Sequence, residues 1–214
     1  MQPRRCEAML AVMRAGGLFA AAPNVDRRRR PLVPTEKLLA LHRERWAPQF
    51  DALGEVIPEA KAYRAALADP LFIRTLVVEF AWRFISGWRV IDLVPELAIF
   101  ADRNAGMVIL FSLALAGPEG GPFPPDGAQP LSINALATRF SVSRKHVLTM
   151  LRDAEADGLL VRGGAANDEI SFLPRGREAL ETFLANVFAY QAACASEAFR
   201  VSTSASAAVA APVA

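Results

Sequence analysis

The chain has 214 residues, 53% of them hydrophobic and 21% charged, with 24 Lys and Arg against 22 Asp and Glu. That is enough apolar material for a substantial core, but a formal net charge of +2 is too small for a nucleic-acid partner to be read from the total, so local placement has to carry it. The two cysteines, Cys6 and Cys194, make neither a disulfide framework nor a metal-ligand spacing, and fit a reducing, cytoplasmic setting.

Residues 1–34 mix small residues, glycine and the run Arg27, Arg28, Arg29 and Arg30, and read as a disordered basic arm. Such a run is either an arm that touches phosphates or a solvated tail. Arg4 and Arg5 ahead of an apolar stretch resemble an export signal, but Glu7 and Arg14 interrupt it.

Residues 35–94 read as a helical region for dimerisation or effector binding. From Thr35, a candidate cap, Leu38, Leu39, His42, Trp46, Phe50 and Leu53 recur at helical spacing, and Pro48 is expected to kink or divide the helix. Pro58 opens a short helix toward Ala68. Asp69 and Pro70 then give a strong start signal for a helix over 70–87, since aspartate caps and proline suits the first helical position. That helix is apolar around most of its circumference, with Thr75, Glu79, Arg83 and Ser86 as a narrow polar stripe, so a core or a second subunit has to cover it. Trp82, Phe84 and Trp88 are candidates to line a pocket for an apolar effector; the plainer reading of such aromatics is core. Neither the stretch 71–100, broken by charges, nor the short stretch 105–117 reads as a membrane span.

Residues 131–160 are the most informative. Ser132 can cap a short helix carrying Ile133, Leu136, Ala137 and Phe140, and Ser143 can cap a second whose apolar stripe is Val147, Leu151 and Ala154. The other face of the second helix opens with Arg144, Lys145, His146 and Thr149, two cations and two hydrogen-bonding groups where a recognition helix enters the major groove. Gly158 supplies a left-handed C-terminal cap. Two short strands, 159–162 and 169–173, flank a small, polar tip and read as a hairpin. Over 131–175 six cations face five anions, yet Arg139, Arg144, Lys145 and Arg152 precede every anion, so the front of the motif is positive and its rear neutralised. The Gly- and Pro-rich loop 117–130 reads as a mobile insertion.

Helix, turn, helix and hairpin make a winged helix, and residues 95–177 resemble the DNA-binding part of MarR-type winged-helix transcriptional regulators. The resemblance rests on PELAIFADRNAGMVILFSLALAG as a helix ahead of the motif, VSRKHVLTMLRDAEADGLLVR as the phrase that holds the recognition helix, and LPRGREAL as the segment leaving the wing. It implies a mainly α fold: a winged helix-turn-helix over 95–175 with a small β-hairpin wing, flanked by N- and C-terminal dimerisation helices. The C-terminal one, 176–200, carries Leu180, Phe183, Leu184, Val187 and Phe188 on one face, and a disordered Ala- and Ser-rich tail occupies 201–214. The implied function is a homodimer that reads a palindromic site on double-stranded DNA, controlled by a small apolar ligand. Ser143, Arg144, Lys145, His146, Thr149 and Arg152 would contact DNA, joined by Arg162, the one cation near a wing tip that lacks the arginine common in the family.

No enzyme is expected. His42 and His146 are the only histidines, there is no GxSxG elbow or phosphate-cradling GxxxxGK, and neither a cofactor nor a metal is implied. The competing reading is a winged helix used for protein contacts, favoured by Asp153, Glu155 and Asp157 and by the cation-poor wing. Cys194 reads as a small apolar helix residue more readily than as a redox sensor.

Overall fold

A computed structural model describes residues 3–22 and 31–210, with side chains over 6–22 and 31–205. Among the described residues the chain is mainly helical, with nine α-helices, a two-stranded and a three-stranded antiparallel sheet, and it forms two compact units. One comprises Met1–Trp82 with Gln191–Ala214; the other is Arg83–Tyr190. No single helix among the described residues is long and apolar enough to cross a membrane.

The first unit opens with α1 (Pro3–Ala15) and a hairpin of β1 (Phe19–Ala21) and β2 (Leu32–Pro34), in register Phe19 to Pro34. This corrects the disordered arm expected over 1–34; the Arg27 to Arg30 run itself lies outside the described residues. The correction has a physical cause. Thr35 Oγ1 donates to the Gly17 carbonyl at 2.7 Å and Lys37 Nζ to the Gly16 carbonyl at 2.9 Å, which ties the turn after α1 to the start of the next helix.

That helix, α2 (Glu36–Gly54), is capped by Thr35 and runs through Pro48 undivided, with Trp46 and Phe50 buried on either side of the proline. Next come α3 (Ala60–Ala66) and α4 (Pro70–Ile85), where Asp69 Oδ1 accepts the Leu71 N–H at 2.8 Å as an aspartate cap should. Phe50, Tyr63, Phe72, Ile73 and Leu76 are buried here, and Phe50 packs against the rings of both Tyr63 and Phe72. Leu71, Val78, Trp82 and Ile85 lie along one exposed, apolar stripe of α4.

In the second unit, two 3-10 turns, Val90–Leu93 and Pro95–Leu97, lead into α5 (Ala98–Ala101) and α6 (Gly106–Ala114). The single helix expected ahead of the motif is therefore broken, and the two parts meet at 112°. Gly106 explains the break: a Cβ there would stand 2.7 Å from the Phe100 carbonyl carbon, so only glycine lets the backbone return so closely, and Ala105 before it is left-handed, with φ 58°.

The loop after α6 is anchored rather than a mobile insertion. Pro124 and Pro125 are buried, Phe123 packs on the core, and Arg177 bonds both the Pro125 carbonyl and the Asp126 carboxylate.

From there run β3 (Gln129–Pro130), α7 (Ile133–Arg139), α8 (Arg144–Ala156), β4 (Leu160–Gly163) and β5 (Glu169–Phe172), with the sheet in the order β3, β5, β4. Val147, Met150, Leu151 and Ala154 of α8 meet Phe100, Ile109, Leu110, Leu160 and Ile170 in one core. α9 (Pro174–Ala210) closes the chain as one continuous helix. Its residues up to Tyr190 belong to the second unit, where Leu180 is buried, and those from Gln191 to the first, where Cys194, Ala195 and Ala198 are buried. The boundary expected at 200 and the disordered tail from 201 are thus replaced by helix to Ala210, with Thr203 Oγ1 donating to the Phe199 carbonyl at 2.8 Å.

Candidate nucleic-acid interface

The site is assembled from two capped helices. Ser132 accepts the Ala135 N–H at 3.2 Å and Ser143 the His146 N–H at 3.1 Å, each satisfying one orphan donor of a first helical turn. Between them Ser141 takes φ 53°, so that the Ser141 and Val142 N–H groups bond the carbonyls of Thr138 and Ala137. The end of α8 repeats this closure. Gly158, at φ 69°, and Leu159 donate to Glu155 and Ala154, and the buried Leu159 leads into β4.

Ser143, Lys145, His146 and Thr149 line one shallow, open depression of about 450 Å³ together with Arg103 from the link between α5 and α6. The side chains of Arg144, Lys145 and Thr149 are exposed and have no hydrogen-bond or ion-pair partner among the described residues, while Arg152, also exposed, lies near enough to Glu155 to act on its carboxylate. Exposed cations without internal partners at a helix N-terminus form a ready site for an anion, because the free N–H groups and the helix dipole add to the side-chain charge.

Two predicted contacts are placed differently. Arg162 is only 13% exposed at its side chain; it donates Nε and Nη2 to Glu155 at 3.1 and 2.6 Å, while its backbone N–H bonds the other Glu155 oxygen at 3.0 Å. It is therefore committed to joining β4 to α8 and is withdrawn from the surface of the β4–β5 hairpin. First that backbone N–H, then the guanidinium, holds the Glu155 carboxyl below its ordinary range. His146 points its Nε2–H at the Asn104 carbonyl at 2.9 Å, so this ring edge anchors α8 to the 102–105 link and is not available to a base.

Of the aromatics expected to line a pocket, Trp82 and Phe84 are 66% and 61% exposed, Arg89 sits over the Phe84 ring at 5.5 Å, and Trp88 stacks on Tyr190 at 4.4 Å.

No protein-family model, curated protein or solved structure matches the chain.

Two residues that sequence reasoning missed complete the site. Arg103 pairs with the Asp153 carboxylate and Asn104 receives His146. Both fall in the polar, turn-forming run Asp102, Arg103, Asn104 ahead of Gly106, which signals a bend but not the partners that the two residues reach on α8. With Asp153 held by Arg103 and Glu155 by Arg162, two of the three acids toward the rear of α8 are paired, Asp157 stays exposed, and the cations at the front face solvent. Among the described residues no group of three or more His, Cys, Asp and Glu is arranged to hold a metal ion.

Proposed function

We propose that this chain is a winged helix-turn-helix transcriptional regulator that lays the N-terminal end of α8 in the major groove of double-stranded DNA. The observation that carries the reading is the division of charge along α8: Arg144 and Lys145 at its start are exposed and without an ion-pair partner among the described residues, whereas Asp153 and Glu155 are taken up by Arg103 and Arg162. A groove-reading helix needs this polarity, since phosphates reward cations at the docking end and repel uncompensated carboxylates. Ser143 sets where the helix begins, Arg144 and Lys145 reach phosphates or guanine edges, and Thr149 and Arg152 extend the contact one to two turns on.

Two copies pairing through the apolar stripe Leu71, Val78, Trp82 and Ile85 would bury surface that α4 now leaves in solvent, and a two-fold dimer would match a palindromic site. The sequestration of Arg162 favours one rival in particular, a winged helix whose hairpin contacts protein, because it leaves β4 and the tip without a free cation.

Binding to the DNA upstream of the chain's own gene and to shuffled DNA, each at several salt concentrations, tests the reading. Several phosphate contacts give log affinity against log salt a slope near −0.9 per contact. Arg144→Ala and Lys145→Ala each reduce that slope by about one unit if the side chain meets a phosphate; a base-reading arginine instead costs about 1–3 kcal/mol on the preferred sequence alone. Absence of binding to either DNA at low salt refutes the regulator reading.

A further inference from the structure

The exposed face of α4 has the spacing of a helix-pairing seam. Phe72, Ile73 and Leu76 are buried, while Leu71, Arg74, Val78, Ala81, Trp82 and Ile85 are exposed. At about 100° per residue these six fall within an arc of about 100°, centred away from the buried three. Leu71, Val78 and Ile85 recur every seventh residue, as do Arg74 and Ala81, and that repeat keeps one face toward a second helix along its whole length.

The order of residues along the seam selects the second helix. On either side of Val78 the two halves are complementary: Leu71 and Ile85 stand seven residues away, Arg74 and Trp82 four, Thr75 and Ala81 three. A two-fold axis through Val78 that sets two α4 helices antiparallel brings residues at equal and opposite separations to one level. Leu71 then meets Ile85 of the second copy, the small Thr75 and Ala81 let the backbones approach, and Val78 meets itself. Arg74 is the one charge among the six and has no ion-pair partner among the described residues. It meets the indole of Trp82 of the second copy, whose face attracts a cation. A parallel pair would set Arg74 against Arg74 across the seam; the antiparallel pair keeps them about 12 Å apart along the axis, beyond the Debye length at physiological salt.

We propose that two copies of the chain pair antiparallel through α4, with Val78 on the two-fold axis and Arg74 of each copy over the Trp82 ring of the other. This rests on the pairing of copies in the DNA-binding reading and gives it a direction and a register. The association is measured without DNA, so a chain that pairs this way yet binds no DNA refutes only the regulator, and the reverse result refutes only the seam.

Sedimentation equilibrium of the full chain at several concentrations tests the pairing. Disulfide trapping tests its register, in a Cys6→Ser background because Cys194 is buried. A helix pair of about four turns buries less than a standard interface, so a monomer–dimer equilibrium in the micromolar range is expected. Val78→Glu, at an exposed position, sets two carboxylates together on the axis and is expected to leave a monomer, confirmed as folded by circular dichroism. Arg74→Gln removes a contact made twice per dimer and is expected to raise the dissociation constant about five- to thirtyfold, an effect absent when Trp82→Leu is already in place. On mild oxidation Val78→Cys is expected to cross-link to itself, and Leu71→Cys only when mixed with Ile85→Cys, since opposed positions alone come within disulfide reach. A chain monomeric at every concentration, a dimer that Val78→Glu leaves intact, an Arg74→Gln variant that pairs normally, or Leu71→Cys cross-linking to itself as readily as to Ile85→Cys would each overturn the proposal.

Discussion

Replacing Gly176 by alanine probes the joint on which the proposed DNA-reading surface is built. An alanine Cβ at this position would stand 2.8 Å from the Leu159 carbonyl carbon and closer still to its oxygen, where real Cβ contacts are rarely below about 3.4 Å. Both obstacles are backbone, so no rotamer change relieves them, and α9 has to retreat by a large fraction of an ångström. The same Leu159 carbonyl accepts the Leu173 N–H at 3.0 Å, and the retreat strains that bond too. Overpacking of this kind costs about 1–3 kcal/mol and a weakened hydrogen bond about 1 kcal/mol, against a gain of about 1 kcal/mol from alanine's better helix propensity. The net expectation is a loss of about 1–3 kcal/mol, read as a lower urea midpoint with an unchanged slope. A midpoint within experimental error of the unsubstituted protein would refute the claim that α9 docks directly on the backbone between α8 and β4.

Ser143→Ala removes the side-chain acceptor for the His146 N–H and should cost about 1 kcal/mol, while Ser143→Asp, which keeps an acceptor, should restore most of it; equal urea midpoints for the two variants would discount the cap. Because Glu155 titrates below its ordinary value when folded, the Arg162 interaction contributes stability that is full above the unfolded carboxyl's pKa and is lost as pH falls through the folded one. Glu155→Gln should therefore flatten the acid limb of the stability profile below about pH 5, measured by urea unfolding at successive pH values, and parallel limbs in the two proteins would show that the pair contributes nothing there.

What could be read from the sequence was the chemistry of neighbours. The caps at Asp69, Ser132 and Ser143 and the left-handed Gly158 depend on residues at most three or four positions apart, and each is where that chemistry puts it. What escaped depends on distant groups. The break at 102–105 coincides with the turn formers Asp102, Asn104 and Gly106, but its sharpness depends on Gly106 meeting the Phe100 carbonyl in three dimensions, which the residue order does not show. Arg162 reads as a wing cation until β4 turns it back onto Glu155. The order in α1 and the first hairpin rests on Thr35 and Lys37 reaching carbonyls 18 and 21 residues earlier. The exposed cations of α8 were legible because nothing in the fold claims them.

The bond from His146 to Asn104 and the pairing of Asp153 with Arg103 fasten α8 at two points about two turns apart to the same four-residue link. The angle at which Arg144, Lys145 and Thr149 face outward is consequently set from beside the helix, by a segment that carries none of them. Moving those side chains alone onto another scaffold would carry over their chemistry but lose their aim. Changes confined to 102–106 would redirect the whole face while leaving every α8 residue on it untouched.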